Sequence, residues 1–434
     1  MSASKDFEIA IVGSGIAGMS LAAALVHRGI KVQVYEAAHH FGEIGAGVAF
    51  TPNATQAMTI CSPNMHDGFL RVATPNLWPS KANVYFDFYD GFGDGKGNAP
   101  KDKLFTSTAR HGMQGCHRAH FLDELVKLVP PEIAHFGKRL DDYIEREDGR
   151  IVMHFRDGTT AEADAIIGAD GIKSKVREIM FGATHPCAQP SFTQTCAYRG
   201  VVPMELAIKA IGEEKAQNSS LYMGPGGHVL TLPINQGKLL NIVAFHRSWE
   251  NWEDSIHLTK PAKREDALRD FATFGDDVKQ LLRLTNENLD VWAIFDTGDN
   301  PPPYYNKGRV CIHGDSAHAT TPHHGSGAGF CVEGSAIMAE LLGNPRVKTA
   351  KDLEVVFKVY NAVRRQRTMW LVQSSRVLGK AYDWQLEGTG RDAARIEAEL
   401  AGRALMIDGV DVAVLCETAQ IMLDCKLDEA ALKA

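Results

Sequence analysis

Long hydrophobic runs are missing from this 434-residue sequence. None reaches the roughly 18 apolar residues of a membrane span, so no span is expected. A basic excess is missing too: 46 Lys and Arg stand against 53 Asp and Glu, a net charge of −7. That balance argues against a nucleic-acid partner, which selects a basic face, and against loose attachment to anionic lipid. Closely spaced cysteines are absent. The 8 cysteines include no C-x-x-C pair and read as scattered reduced thiols that pack as small hydrophobes. No basic segment followed by an apolar one precedes the first strand, so a cytoplasmic location is the expectation. Internal repeats and low-complexity tracts are also lacking. What is there is ordinary globular composition, 44% hydrophobic and 23% charged. The length allows about two to three domains, enough to bury a large cofactor and a substrate together.

Residues 7–12, FEIAIV, read as a short buried strand. Ile16, Met19, Leu21, Ala24 and Leu25 follow at helical spacing, and residues 31–35, KVQVY, form a second strand. This strand–turn–helix–strand unit opens a parallel sheet. A less regular stretch follows, with turn signals at Thr74–Pro75, Trp78–Pro79 and Gly91 to Gly97. A helix is predicted over 119–129, stopped by Pro130 and Pro131. Residues 151–168 suggest two strands around the turn Asp157–Gly158. Strands at 195–202, 229–234 and 239–245, with helices at 203–217 and 262–284, indicate a second, mixed β-sheet domain. Residues 309–313 return to a buried strand, 326–343 to a helix, and the chain is helical from 353 onward.

Gly13-Ser-Gly15-Ile16-Ala17-Gly18 follows the first strand and opens the first helix. In such a turn the first glycine permits the tight bend, the second admits a pyrophosphate, and the third lets helix and strand pack closely. The helix N-terminus supplies free N–H groups and a positive dipole end. Glu36, at the end of the second strand, is placed to accept from a ribose hydroxyl. These residues point to dinucleotide binding without separating FAD from NAD.

Two later segments repeat the strand-into-turn pattern: DAIIGADGIKSKVR at 164–177, and GRVCIHGDSAHATTPHHGSGAG at 308–329. Alone, each is a common Asp-Gly or Gly-Asp turn. In this order and spacing the three segments resemble the flavoprotein aromatic hydroxylases, the single-component FAD monooxygenase family. The likeness spans about residues 7 to 380 and includes Glu43-Ile44-Gly45-Ala46-Gly47 and Arg118 in GCHRAHF. CAYRG at 196–200 and PHHGSGAG at 322–329 resemble salicylate hydroxylases (salicylate 1-monooxygenases) and related fungal phenol hydroxylases most. One departure is Ser316, where the family often has alanine.

The resemblance implies an α/β fold: a Rossmann-like FAD-binding domain with a parallel sheet, a mixed β-sheet substrate domain, and C-terminal helices. Its parts are expected at 1–75, 106–189 and 297–380 for the FAD domain, 76–105 and 190–296 for the substrate domain, and 381–434 for the helices. It implies that Gly13, Gly15, Ile16, Ala17, Gly18 and Glu36 hold the ADP half of FAD, that Gly47 also contacts the cofactor, and that Arg118 contacts the flavin's middle section. Asp170 and Gly171 are linked to both FAD and the nicotinamide cofactor, and Asp315 to a ribityl or sugar hydroxyl. Pro322, Gly325, Gly327, Ala328 and Gly329 bring a helix N-terminus toward the flavin ring, where its partial positive charge stabilises the anionic reduced form.

The expected reaction is hydroxylation of a small phenolic acid with O2 and NADH or NADPH, salicylate going to catechol with loss of CO2. The alternatives are ipso- or ortho-hydroxylation of another small phenol in a secondary-metabolite pathway, and an FAD oxidase or dehydrogenase without oxygen insertion. By resemblance His323 is the base that ionises the phenol. A phenolate is the better nucleophile toward activated oxygen, and an imidazole accepts such a proton near neutral pH. His324 is adjacent and can exchange roles with it. Arg199 is assigned to the substrate anion, because a guanidinium donates two parallel hydrogen bonds to it; a structural salt bridge is the plain alternative. Leu230, Leu232 and Val243 form the apolar wall. Fungal enzymes that dearomatise polyketide-derived aldehydes carry tyrosine at the place aligned with Leu232, so leucine favours a salicylate-type pocket. His313, His318, His323 and His324 lie close in sequence, but Gly and Pro break the segment, and no metal site is expected. WENW at 249–252 is not the W-x-W of flavin halogenases, and no second G-x-G-x-x-G marks a separate NAD domain. The helices after about 380 either pack on the cofactor domain or form a homodimer face.

Overall fold

The computed structural model describes residues 5–41, 47–94, 96, 98–100, 102–254 and 257–432. Its centre is a six-stranded sheet, in the order Asn306–Lys307, Val310–Ile312, Ala165–Gly168, Ile9–Val12, Val32–Tyr35 and Ala134–His135. All neighbours run parallel except the first pair. Ile9–Val12 and Ala165–Gly168 are buried at every position. Strands covered on both faces read as continuous apolar runs rather than alternating ones. The helix Ile16–His27 is buried on nearly every side, between this sheet and the helix Gly327–Gly343.

The second sheet has eight strands, in the order Thr259–Lys263, Asn288–Asp296, Ser191–Pro203, Leu239–Arg247, Gly227–Ile234, Ser220–Gly224, Val84–Asp90 and Lys103–Thr108. Only Ser220–Gly224 and Val84–Asp90 pair in parallel; the other neighbours are antiparallel. The two outermost strands on the second side therefore come from well before residue 190.

Several expectations need correction. Residues 151–168 hold three strands, not two. Ile151–Phe155 and Thr160–Ala163 form the hairpin, with Gly158 at φ +82°, in a separate three-stranded sheet. Ala165–Gly168 then enters the parallel sheet. The stretch read as irregular contains the helices Pro52–Cys61 and Pro63–Val72. Each opens with Pro at its first position after Thr51 or Ser62, where a missing N–H costs nothing. Residues 262–284 begin with the end of a strand, Thr259–Lys263, before the helices Arg264–Asp270 and Asp276–Arg283. Pro261 fits there because the strand is at a sheet edge. Residues 203–217 are two helices, divided at Gly212 (φ +87°).

The helix Ala350–Tyr382 starts at a capping box between Thr349 and Asp352. It is followed by Ala393–Asp408 and Val412–Ala431. The last helix buries Val412, Ala419 and Leu423 in the same core as the parallel sheet, so it packs on the cofactor side. Ile396 and Leu400 pack instead with Phe86, Phe88 and Tyr382 beside the second sheet. Seven cysteines are buried and Cys425 is exposed; all eight are free thiols.

Candidate active site

The first glycine turn is built by close backbone contact. Gly13 has φ +103°, and a Cβ there would lie 2.4 Å from the Ala169 carbonyl oxygen. A Cβ on Gly18 would lie 2.0 Å from the Gly13 oxygen. Both positions exclude any side chain. Glu36 stands at the end of Val32–Tyr35. One carboxylate oxygen accepts from the Ser14 N–H (2.8 Å) and hydroxyl (2.7 Å), the other from the Ala38 N–H (2.7 Å). The acid is thereby fixed beside the turn. Of the expected segment 43–47, residues 43–46 lie outside the described residues. Gly47 donates to Asn241 Oδ1 at 3.3 Å.

The second and third segments are clamped together. The Asp170 carboxylate accepts four hydrogen bonds, from the Ser174 hydroxyl, the Lys175 and Val176 N–H groups and the Ser316 hydroxyl. Ser174 is the N-cap of the helix Lys175–Phe181, its hydroxyl accepting from the Arg177 N–H, and Asp170 accepts from the first two N–H groups of that helix. Gly171 (φ +80°) donates its N–H to Ser316 Oγ at 3.1 Å. Ser316, the residue departing from the family pattern, thus joins the Asp-Gly turn to the Gly-Asp turn. Arg177, fully buried, donates to the carbonyls of Ser316, Ile172 and Ala188. Nothing in the residue pattern around it signals this role.

A cavity of about 280 Å³ lies between the two sheets. Gly15, Ile16, Ala17 and Gly171 line it from the first two segments, with Gly47 and Arg118 from between them. Asp315, Pro322, Gly325, Gly327 and Ala328 line it from the third. Arg199, Leu230, Leu232, Val243, His323 and His324 complete the predicted set. Gly13, Gly18, Glu36, Asp170 and Gly329 do not line it. A Cβ on Gly329 would lie 2.9 Å from Ala54 Cβ, so this glycine sets the approach of two helices. Ser326 caps the helix Gly327–Gly343 without a side-chain hydrogen bond, and its first turn carries no acid. Its N-terminal turn therefore offers positive dipole to the cavity. Burial raises the Asp315 carboxyl above the usual range, against the pull of Arg118 and Arg177.

Register explains the substrate side. Arg199 pairs with Val243, and Val243 with Leu230, so the three side chains form a row on one face of adjacent strands. Arg199 lies over the Trp292 ring at 4.4 Å. Its Nε is buried with no partner, and it makes no ion pair among the described residues. Burial, then the positive charge of Arg118, lowers its pKa to about 10. It is still a cation at neutral pH.

His323 Nδ1 is 3.0 Å from Thr321 Oγ1, and its Nε2 is buried without a partner. Burial, His228 and His324 hold it far below the usual histidine range, so it is neutral. His324 bonds Ser374 Oγ through Nε2 at 2.8 Å, and burial lowers its pKa to about 3. His324 is thus committed to the long helix, whereas His323 has a ring nitrogen to offer. The cavity also holds His228, Phe245 and Tyr382, which were not predicted. A signal for His228 was present: it lies two and four residues before Leu230 and Leu232, and a strand places i, i+2 and i+4 on one face.

These features fit FAD on the structure's own terms. A glycine cradle closed to side chains stands beside a fixed acid, and a helix N-terminus and two arginines face one cavity. Residues 11–67 match the profile of an NAD(P)-binding Rossmann-like domain, and residues 135–375 that of an FAD binding domain. The chain is 44% identical over 416 residues to the FAD-dependent monooxygenase pigN of Monascus ruber, covering 94% of each chain. It is 40% identical over 417 residues to the 6-methylsalicylate 1-monooxygenase atA of Aspergillus terreus, covering 95% of this chain and 91% of that one. A solved salicylate hydroxylase substrate complex superposes with a TM-score of 0.84 at 33% identity, over 96% of this chain and 98% of that one. The chain belongs to the FAD-dependent monooxygenase family, as a flavoenzyme of the aromatic-hydroxylase type that draws its electrons from NADH or NADPH.

Proposed function

We propose that the substrate is a small phenolic acid, with salicylate the first candidate, and that hydroxylation at the carboxyl-bearing carbon releases CO2 and gives catechol. The observation carrying this reading is the pairing, across one cavity, of an unpaired guanidinium (Arg199) with a neutral imidazole (His323). A cation without a carboxylate partner suits an anionic ligand. A neutral imidazole suits a proton still to be removed. Two relatives whose names specify salicylate-type compounds support the choice.

Bound FAD, once reduced, supplies activated oxygen. Everything else falls to side chains. Arg199 donates to the substrate's carboxylate or phenolate oxygen and sets the ring's orientation. His323 accepts the phenolic proton at a ring nitrogen. Leu230, Leu232 and Val243 keep water from the reacting atoms, which otherwise diverts oxygen to peroxide. The N-terminal turn of Gly327–Gly343 offers partial positive charge to anionic flavin.

A screen of phenolic acids for stimulated NADH and NADPH oxidation, under labelled oxygen and with products identified, tests the reading. Catechol carrying one label from salicylate is the expected result. Salicylate that yields peroxide and no catechol ends the salicylate assignment. A labelled product that keeps all its carbon moves the enzyme to another phenol, and no label in any product removes oxygen insertion.

A further inference from the structure

A phenolic proton that reaches His323 needs a place to rest, and His323 is a poor one. Its ring packs against the backbone at Gly379, where even a Cβ would lie 2.6 Å from the ring. It has no carboxylate partner among the described residues. The neighbouring ring differs. His228 lies 5.2 Å from His323, centre to centre. Its Nδ1 is 2.7 Å from Asp383 Oδ1, and both side chains are buried. A carboxylate only accepts, so Nδ1 carries the hydrogen, and in the neutral tautomer it is Nε2 that presents the lone pair. That Nε2 is buried with no partner, like Nε2 of His323.

Asp383 is held in place. Its N–H donates to the Gly379 carbonyl at the end of the long helix, and its carbonyl accepts from Gly226, two residues before His228. Phe245 stacks on His228 at 4.7 Å, and Tyr382 meets it edge-on at 5.4 Å. The titratable groups around the imidazole are thus Asp383, Tyr382 and His323, with His246 beyond Asp383. Among the described residues Asp383 is the one carboxylate bonded to it.

We infer that Asp383, His228 and His323 form a proton-holding chain behind the substrate. The inference rests on the phenolic-acid reading above. The substrate O–H bond breaks toward a ring nitrogen of His323, which has no direct hydrogen bond to His228; a hydroxyl or water bridging the two unpartnered nitrogens carries a proton on to Nε2 of His228, and the Asp383 carboxylate balances the new charge. One O–H bond is lost and one N–H bond gained, with no change in oxidation state. The reverse transfer restores the hydroxyl of the product. His228 and Asp383 are positioning residues in this scheme, and of the three only His323 takes the proton from the substrate. A carboxylate behind an imidazole fixes its tautomer and stabilises its cation.

The test uses FAD-loaded enzyme and 5-nitrosalicylate, whose bound phenolate is read by its visible absorbance across pH. Asp383→Asn keeps an acceptor for Nδ1 but removes the charge. His228→Gln covers the case in which that change disturbs the helix end. Both variants are expected to retain FAD and to raise the pH midpoint for ionisation of the bound probe by about 1–3 units. A wild-type midpoint in either variant that retains FAD overturns the inference. If the wild-type enzyme fails to bind the probe, with no change in the flavin spectrum, the phenolic-acid reading falls and carries the inference with it. If the probe binds and ionises alike in all three proteins, only the inference falls.

Discussion

The two ends of the cavity are built by different means. At the cofactor end, backbone and short side chains satisfy one another. Gly13 and Gly18 close the turn, Glu36 accepts three hydrogen bonds and Asp170 four. At the substrate end, side chains stand unpartnered: Nε of Arg199 and Nε2 of both His323 and His228. Buried polar groups left without partners are costly, and they persist where a ligand completes them. The first end suits a constant ligand. The second holds the polar groups by which substrates are told apart, since unpaired donors and acceptors discriminate more sharply than apolar walls.

The contrast can be broken or sharpened by mutation. Gly13→Ala should have the largest effect, because its Cβ meets the Ala169 carbonyl and its φ is left-handed. Purified protein should be colourless, with little flavin absorbance per chain. His323→Ala should keep FAD and lower hydroxylation about 100-fold at acid pH, recovering as pH approaches the phenol's own ionisation. A loss equal at every pH, measured as a kcat profile, removes the base role. Arg199→Ala should raise KM about 10- to 100-fold, the cost of one charge-assisted hydrogen bond, with flavin content unchanged. Equal loss of flavin would show that one residue serves both ends.

A smaller effect is expected from pH alone. Burial lowers His313, His318 and His324 to about 3. Below the ordinary value near 6.5, the unfolded chain binds these protons and the native chain does not. Stability should therefore be complete above that value and fall on acidification, by about 1.4 kcal/mol per pH unit for each histidine. Asp408, raised by burial to about 6, works the opposite way and offsets one of them. Thermal unfolding between about pH 7.5 and 5.5, roughly the upper part of the window those shifts define, checks the sign. Ser316→Ala should matter least. Asp170 retains three of its four bonds and the Gly171 N–H loses its acceptor, so a loss of about 1–2 kcal/mol is expected, read as a small drop in melting temperature.

The sequence made the parallel sheet legible because each buried strand is a short apolar run punctuated by glycine. The helices Pro52–Cys61 and Pro63–Val72 escaped because each is only ten residues long and opens on a proline, although Thr51-Pro52 and Ser62-Pro63 are also helix starts. Leu230, Leu232 and Val243 were readable from strand alternation. His228 shares that face but looked out of place in an apolar strand. Its partner Asp383 could not be found from spacing, since 155 residues separate them and only the end of the long helix brings them together. Gly329 was read as part of the flavin turn, whereas its contact with Ala54 depends on how two helices cross.

The exposed thiol of Cys425, on the outer side of the last helix, has a practical consequence. With the other seven cysteines buried, a maleimide dye should attach once per native chain. Storage in air would then join two copies through this helix alone, giving a covalent pair on a non-reducing gel. A test of self-association therefore needs a reductant present, so that pairing through this thiol is not counted.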